Sequence, residues 1–138
     1  AASLRLDACG APQRRRATSL LWTLALGGAG HRRRVVEAGG VPALLLAARA
    51  EPGSAELQEL ACGALGTLVS SDDVRELVAA DGVRLVLDAM RAHAACPGLQ
   101  ERACRALGNL VAGSADNQQE AARCGGVDLI LDAMRAHP

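Results

Sequence analysis

Apolar residues recur three and four apart through AELQELACGALGTLV. Leu57, Leu60, Ala61, Ala64, Leu65 and Leu68 share one face of a predicted helix, and Glu59, Gly63, Thr67 and Ser70 fall opposite. The pattern returns along the chain. Gln58–Val69 matches Gln100–Val111 at a shift of 42 residues, and Arg14–Ala25 matches Gln58–Val69 at a shift of 44. Each block is followed by a polar stretch and then by a corner: VVEAGGV, LVAADGV or AARCGGV. After each corner comes another apolar segment, VPALLLAARA, VRLVLDAMRA or VDLILDAMRA. A unit is therefore expected to be a long helix, a short helix, a glycine corner and a medium helix.

Local chemistry supports those boundaries. Ser70, Ser71 and Ser114 stand where the short helices should start, with Asp72, Asp73 and Asp116 in their first turns, where the helix dipole favours negative charge. Gly39, Gly82 and Gly125 are expected at the corners, where the backbone needs positive φ. Pro42 suits a first turn. EPGS and CPG separate medium from long helices. The opening Leu4–Cys9, LRLDAC, lines up with Leu85–Met90 as the tail of an earlier unit. The expected organisation is one domain over 1–138: a tail at 1–12, then units at 13–50, 54–93 and 97–138. The chain begins without Met and its units run to both ends, so it is expected to be a segment of a longer array.

Three helices in 42–44 residues lie in the armadillo range. AELQELACGALGTLV and PGLQERACRALGNLV resemble the long helix of the armadillo repeat family, and NQQEAARCGGVDLILDAM resembles its short helix, corner and second helix. The resemblance implies an all-α fold, a right-handed armadillo-type α-solenoid. It also implies a scaffold whose concave face, lined by the long helices, binds a protein or peptide. In that family a Trp followed four residues later by an Asn holds the backbone of an extended peptide. Here the Asn place is taken by Thr23, Thr67 and Asn109, and the Trp place by Ser19, Gly63 and Arg105. Trp22 lies one residue before Thr23, about 100° round the helix, where Gly66 and Gly108 stand in the other copies. The paired ladder is absent. The groove residues expected to meet a partner are Arg15, Ser19, Thr23, Glu59, Thr67, Glu101, Arg105 and Asn109. The alternative implied by the resemblance is a structural or regulatory segment of a larger enzyme or cytoskeletal protein.

Composition narrows the rest. Half of the 138 residues are hydrophobic, yet Trp22 is the sole aromatic, so the core must be aliphatic. Net charge is zero, but residues 1–40 carry +5 and residues 41–138 carry −5. The Arg14–Arg16 and Arg32–Arg34 triplets form either a solvated face or a docking patch for an acidic partner. One aromatic gives no stacking platform for nucleic acid. No apolar run reaches the roughly 18 residues of a membrane span. RRRATSLLWTLALGGAG has the cast of a secretory signal but lies inside the repeat.

Five scattered cysteines without a C-x-x-C pair suit a reduced, intracellular chain, cytoplasmic or nuclear. Cys62 and Cys104 hold equivalent places on neighbouring long helices, and reduced thiols are expected there. His93 and His137 also recur at the structural period, which suits solvated helix ends better than a catalytic base. His31 belongs to a loop or helix start. With no nucleophile–base–orienter set, no P-loop and too few companions for zinc, neither enzyme activity nor a cofactor or metal is expected.

Overall fold

The structure, a computed structural model, describes residues 10–70 and 72–138. The expected tail Leu4–Cys9, the cap Ser71 and the side chains of Asp72 and Asp73 lie outside that description. The described residues form eight helices: α1 (Ala11–Ala25), α2 (Ala29–Glu37), α3 (Gly40–Ala50), α4 (Ala55–Leu68), α5 (Asp72–Ala92), α6 (Pro97–Val111), α7 (Ala115–Arg123) and α8 (Gly126–Ala136). None of them is long and apolar enough to cross a membrane.

The long helices pack in chain order, α4 lying against α1 on one side and α6 on the other. Behind them α5 packs on α3 and on α6, α7 and α8. The aliphatic face read from the sequence is the core: Leu57, Ala61, Ala64, Leu65 and Leu68 are buried, joined by Leu44, Val83, Leu87, Met90, Leu99 and Leu110. Close approach depends on small residues. A Cβ at Gly66 would stand 3.2 Å from the Ala106 Cα, so α4 and α6 meet nearly backbone to backbone there.

The corners behave in two ways. Gly39 (φ 86°) and Gly125 (φ 81°) adopt the left-handed conformation that ends α2 and α7 and starts α3 and α8. The expected third corner does not form: Gly82 lies inside α5, which runs unbroken for 21 residues. The cause is a substitution in the motif. AGG and CGG become ADG, so Asp81, not Gly82, occupies the left-handed place of Gly39 and Gly125. A non-glycine residue pays for positive φ, and here the helix continues instead.

The caps are mixed. Ser114 Oγ accepts from Asn117 N at 3.2 Å, as expected for the start of α7. Ser54 does the same for α4 through Leu57 N at 3.2 Å. Ser70 instead turns back to donate to Thr67 O at 2.9 Å.

Polar side chains close the joints between units. Gln58 Nε2 donates to Ala48 O (2.8 Å) and Glu51 O (3.0 Å), and Gln100 Nε2 donates to Met90 O (3.0 Å) and His93 O (3.0 Å). Each buried amide thus ties carbonyls at the end of the preceding helix to the next long helix. Arg14 holds this place in α1, buried, with Nη1 2.8 Å from Glu51 Oε2. The solvated face considered for that triplet therefore does not extend to Arg14.

His93 Nε2 contacts Pro52 O at 2.9 Å and His137 Nε2 contacts Ala94 O at 3.0 Å, so both rings bind the backbone one unit earlier. They are half-buried joints, not freely solvated ends.

Glu120 links α7 to α5 through Arg84 Nε at 2.8 Å and bonds Arg123 Nη2 at 2.6 Å. The hydrogen bond from Arg123, followed by that from Arg84, lowers its carboxyl from 4.5 to about 2. A lowered folded pKa stabilises the fold above the ordinary carboxylate value, and that contribution disappears as pH falls through the folded value. Between pH 4.5 and about 2 the parent should lose thermal stability more steeply than Glu120→Gln. Equal slopes in a pH series of melting temperatures would exclude this linkage.

Candidate functional site

The expected groove lies along the polar side of α1, α4 and α6. Helical spacing makes three rows: Arg15, Ser19 and Thr23; Glu59, Gly63 and Thr67; Glu101, Arg105 and Asn109. Thr23, Glu101 and Arg105 are exposed, whereas Arg15, Ser19, Glu59, Thr67 and Asn109 are half-buried.

Trp22 changes the middle of this surface. Its indole leaves α1 and lies over Gly63, where a Cβ would come within 2.6 Å of the ring. Its Nε1 donates to Thr67 Oγ1 at 3.1 Å, and Thr67 Oγ1 donates to Gly63 O at 3.0 Å. The Arg102 guanidinium covers the ring at 4.6 Å from its centroid, a cation–π contact from α6. Gly63, expected on the open side, is therefore buried beneath the tryptophan. Thr67 serves as its acceptor, a role that competes with partner binding.

Asn109 is also engaged within the fold. Its Nδ2 donates to Gly66 O at 2.8 Å, and the backbone carbonyl of Asn109 accepts from Arg75 Nε at 2.6 Å. The amide expected to hold a partner's backbone holds the backbone of α4 instead. This follows from packing, because the small Gly66 brings its carbonyl within reach.

Of the remaining expected residues, Arg15 stands 3.7 Å from Glu56 Oε2, and Thr23 donates to Ser19 O at 3.0 Å. Glu59 reaches the first turn of α6, with Oε1 2.5 Å from where a Gly98 Cβ would lie. The helix dipole favours a carboxylate there. Arg15, Arg16, Ser19, Thr23, Glu56 and Leu60 line a hollow of about 580 Å³ between α1 and α4. The cationic portion of the surface is thus Arg15 and Arg16 at one end and Arg102 and Arg105 at the other, with Trp22 between them.

Sequence spacing missed the roles of Trp22 and Arg102. The available signal was a lone Trp at the register place that Gly66 and Gly108 fill in the other copies.

Among the described residues, no three His, Cys, Asp or Glu side chains could hold a metal ion together. Cys62, Cys96, Cys104 and Cys124 are free thiols, and Cys9 lies outside the described residues. Burial, with a smaller contribution from Glu59, pushes the Cys62 thiol up to about 12. It stays protonated and poorly nucleophilic at neutral pH. Cys104 is raised by burial as well.

Compared with protein-family models, characterised proteins and solved structures, the chain gives no match.

Proposed function

We propose that this chain is a non-catalytic protein-interaction scaffold, an armadillo-type right-handed α-solenoid that holds an acidic segment of a partner protein along its long helices. The observation carrying this reading is the cationic surface around Trp22: Arg102 lies on the ring, Arg105 is exposed beyond it, and Arg15 and Arg16 line the adjoining hollow. Three packed helices hold these cations in place. Guanidinium groups bind carboxylates through strong, often bidentate, charge-assisted hydrogen bonds.

Glu56, Glu59 and Glu101 interrupt the positive charge, so binding is expected to be modest and salt-sensitive. His93 and His137 bind carbonyls of neighbouring units, which supports structural work for them. The free thiols support an intracellular location, cytoplasmic or nuclear. The reading requires no cofactor, membrane surface or nucleic acid.

Fluorescence anisotropy with a labelled oligo-glutamate peptide tests it. Arg15→Ala combined with Arg105→Ala should weaken binding about tenfold, or ~1.4 kcal/mol, without lowering the melting temperature. Asn109 is left intact because its amide supports α4. Arg33→Ala with Arg135→Ala, both away from the long-helix surface, should have little effect. Loss of binding in this outer pair alone would exclude the long-helix surface.

A further inference from the structure

Between α3 and α5, behind the long helices, a hollow of about 260 Å³ opens to solvent. Its lining comes from α3, α5, the α3–α4 loop and the first turn of α4, so neither end of the chain shapes it. The floor is apolar and buried: Ala48 from α3, with Leu85 and Ala89 from α5. Register explains the space. Gln58 bonds the Ala48 carbonyl as Gln100 bonds that of Met90, so Ala48 and Met90 hold equivalent places. On α5 the methionine packs into the core, 1% exposed. On α3 the alanine leaves room that a long side chain would fill.

One polar group belongs to this floor. Gln58 is 4% exposed and lines the hollow. Its Nε2 donates to Ala48 O and Glu51 O, which engages both amide hydrogens, and no described residue donates to its Oε1. A nearly buried amide oxygen of this kind gains from a donor brought into the hollow.

The mouth is polar and neutral overall. Arg49 and Arg84 stand there with Asp81 and Asp88, all four exposed. Each already has an opposite charge: Arg49 lies 3.8 Å from Asp81, Arg84 2.8 Å from Glu120, and Asp88 3.0 Å from Arg91. An ionic head pushed down to Gln58 would therefore lose water without gaining a counter-charge.

These features define the occupant. It needs an apolar body with one neutral donor at its tip, as tyrosine and tryptophan have. Lysine and arginine bring a charge, phenylalanine and leucine leave Gln58 Oε1 unpaired, and serine cannot cover the floor. The volume suits one side chain and lies below the roughly 300–1,000 Å³ of sites that enclose whole small molecules. A polar rim round a buried seat is also how protein interfaces shield an aromatic anchor. The chain's own aromatic, Trp22, is engaged elsewhere, by Gly63, Thr67 and Arg102.

We infer that the α3–α5 hollow is a second protein-docking site, which takes a tyrosine or tryptophan side chain of a partner with its O–H or N–H donating to Gln58 Oε1. It uses other residues and another chemistry than the acidic-segment surface, so either can fail alone.

NMR titration of the isotope-labelled protein tests it, with the capped peptides Gly-Tyr-Gly, Gly-Trp-Gly, Gly-Phe-Gly and Gly-Leu-Gly, and with free phenol and indole. Gly-Tyr-Gly or Gly-Trp-Gly should give saturable shifts at the Gln58 side-chain amide, Ala48 and Ala89. Gly-Phe-Gly should bind about tenfold more weakly because the acceptor stays unpaired, and Gly-Leu-Gly more weakly still. Phenol and indole, which lack a backbone to meet the rim, should bind more weakly than the peptides. Ala48→Met copies the next junction and should abolish binding in a protein that melts no lower than the parent. Ala92 is exposed at the mouth, so Ala92→Leu should weaken binding severalfold without touching the core. Arg15→Ala with Arg105→Ala should leave the shifts unchanged. The inference is overturned if neither aromatic peptide saturates, if Gly-Phe-Gly binds as well as both, or if Ala92→Leu or a folded Ala48→Met binds like the parent. Phenol or indole binding as tightly as the peptides overturns it as well, in favour of a free small molecule.

Discussion

Leu65→Ala should destabilise the protein by about 2–5 kcal/mol, a large share of the roughly 5–15 kcal/mol that holds a typical domain together. Leu65 is fully buried on α4, which has a packed long helix on each side. Truncation there leaves a cavity whose walls are held from both directions and relax little. Leu107→Ala removes the equivalent side chain from α6, also buried, and should lose a similar amount. Urea unfolding of both variants measures this. A midpoint unchanged from the parent in either variant would show that the apolar face is not the core.

Gln58→Leu should cost about 1–3 kcal/mol although leucine is more apolar. The amide supplies hydrogen bonds to Ala48 O and Glu51 O in a buried joint, and leucine removes both. Each carbonyl then keeps only its local backbone donor, Glu51 N at 3.4 Å and Ser54 N at 3.1 Å. The loss of two hydrogen bonds is partly offset by the added apolar burial. Gln100→Leu should behave alike, because its amide meets Met90 O and His93 O in the same way. Gln58→Glu separates hydrogen bonding from shape. As a carboxylate it faces two carbonyls and should be the least stable; protonated, it regains one donor, so stability relative to the parent should recover on acidification. Parent-like melting of Gln58→Leu would mean that these carbonyls need no amide.

The helices were legible because burial of a helical face imposes a period of 3.6 residues, and three copies repeat it. The Gly39 and Gly125 corners were legible for a related reason: the left-handed conformation strongly favours glycine. Gly82 misled because its companion is Asp81, and the decisive residue in the motif is the first of the pair. The groove was less readable. Spacing assigns Gly63, Thr67 and Asn109 to the polar side of their helices, but it carries no information about what a neighbouring helix places there. Trp22 covers the first two, and the Gly66 carbonyl claims the third. Gln58 and Gln100 recur at the start of the repeated block, but beside Glu59 and Glu101 nothing in the sequence marks them as buried. Their purpose appears once the ends of α3 and α5 are brought beside them.

The unbroken α5 makes the three units mechanically unequal. Under tension applied at the chain ends, the corners at Gly39 and Gly125 act as hinges, where a short helix can swing from its successor before either unravels. The middle unit has no such hinge. Its 21 residues form one rod of about 31 Å, with α3, α7 and α8 packed against it. The outer units are therefore expected to yield first, at their corners.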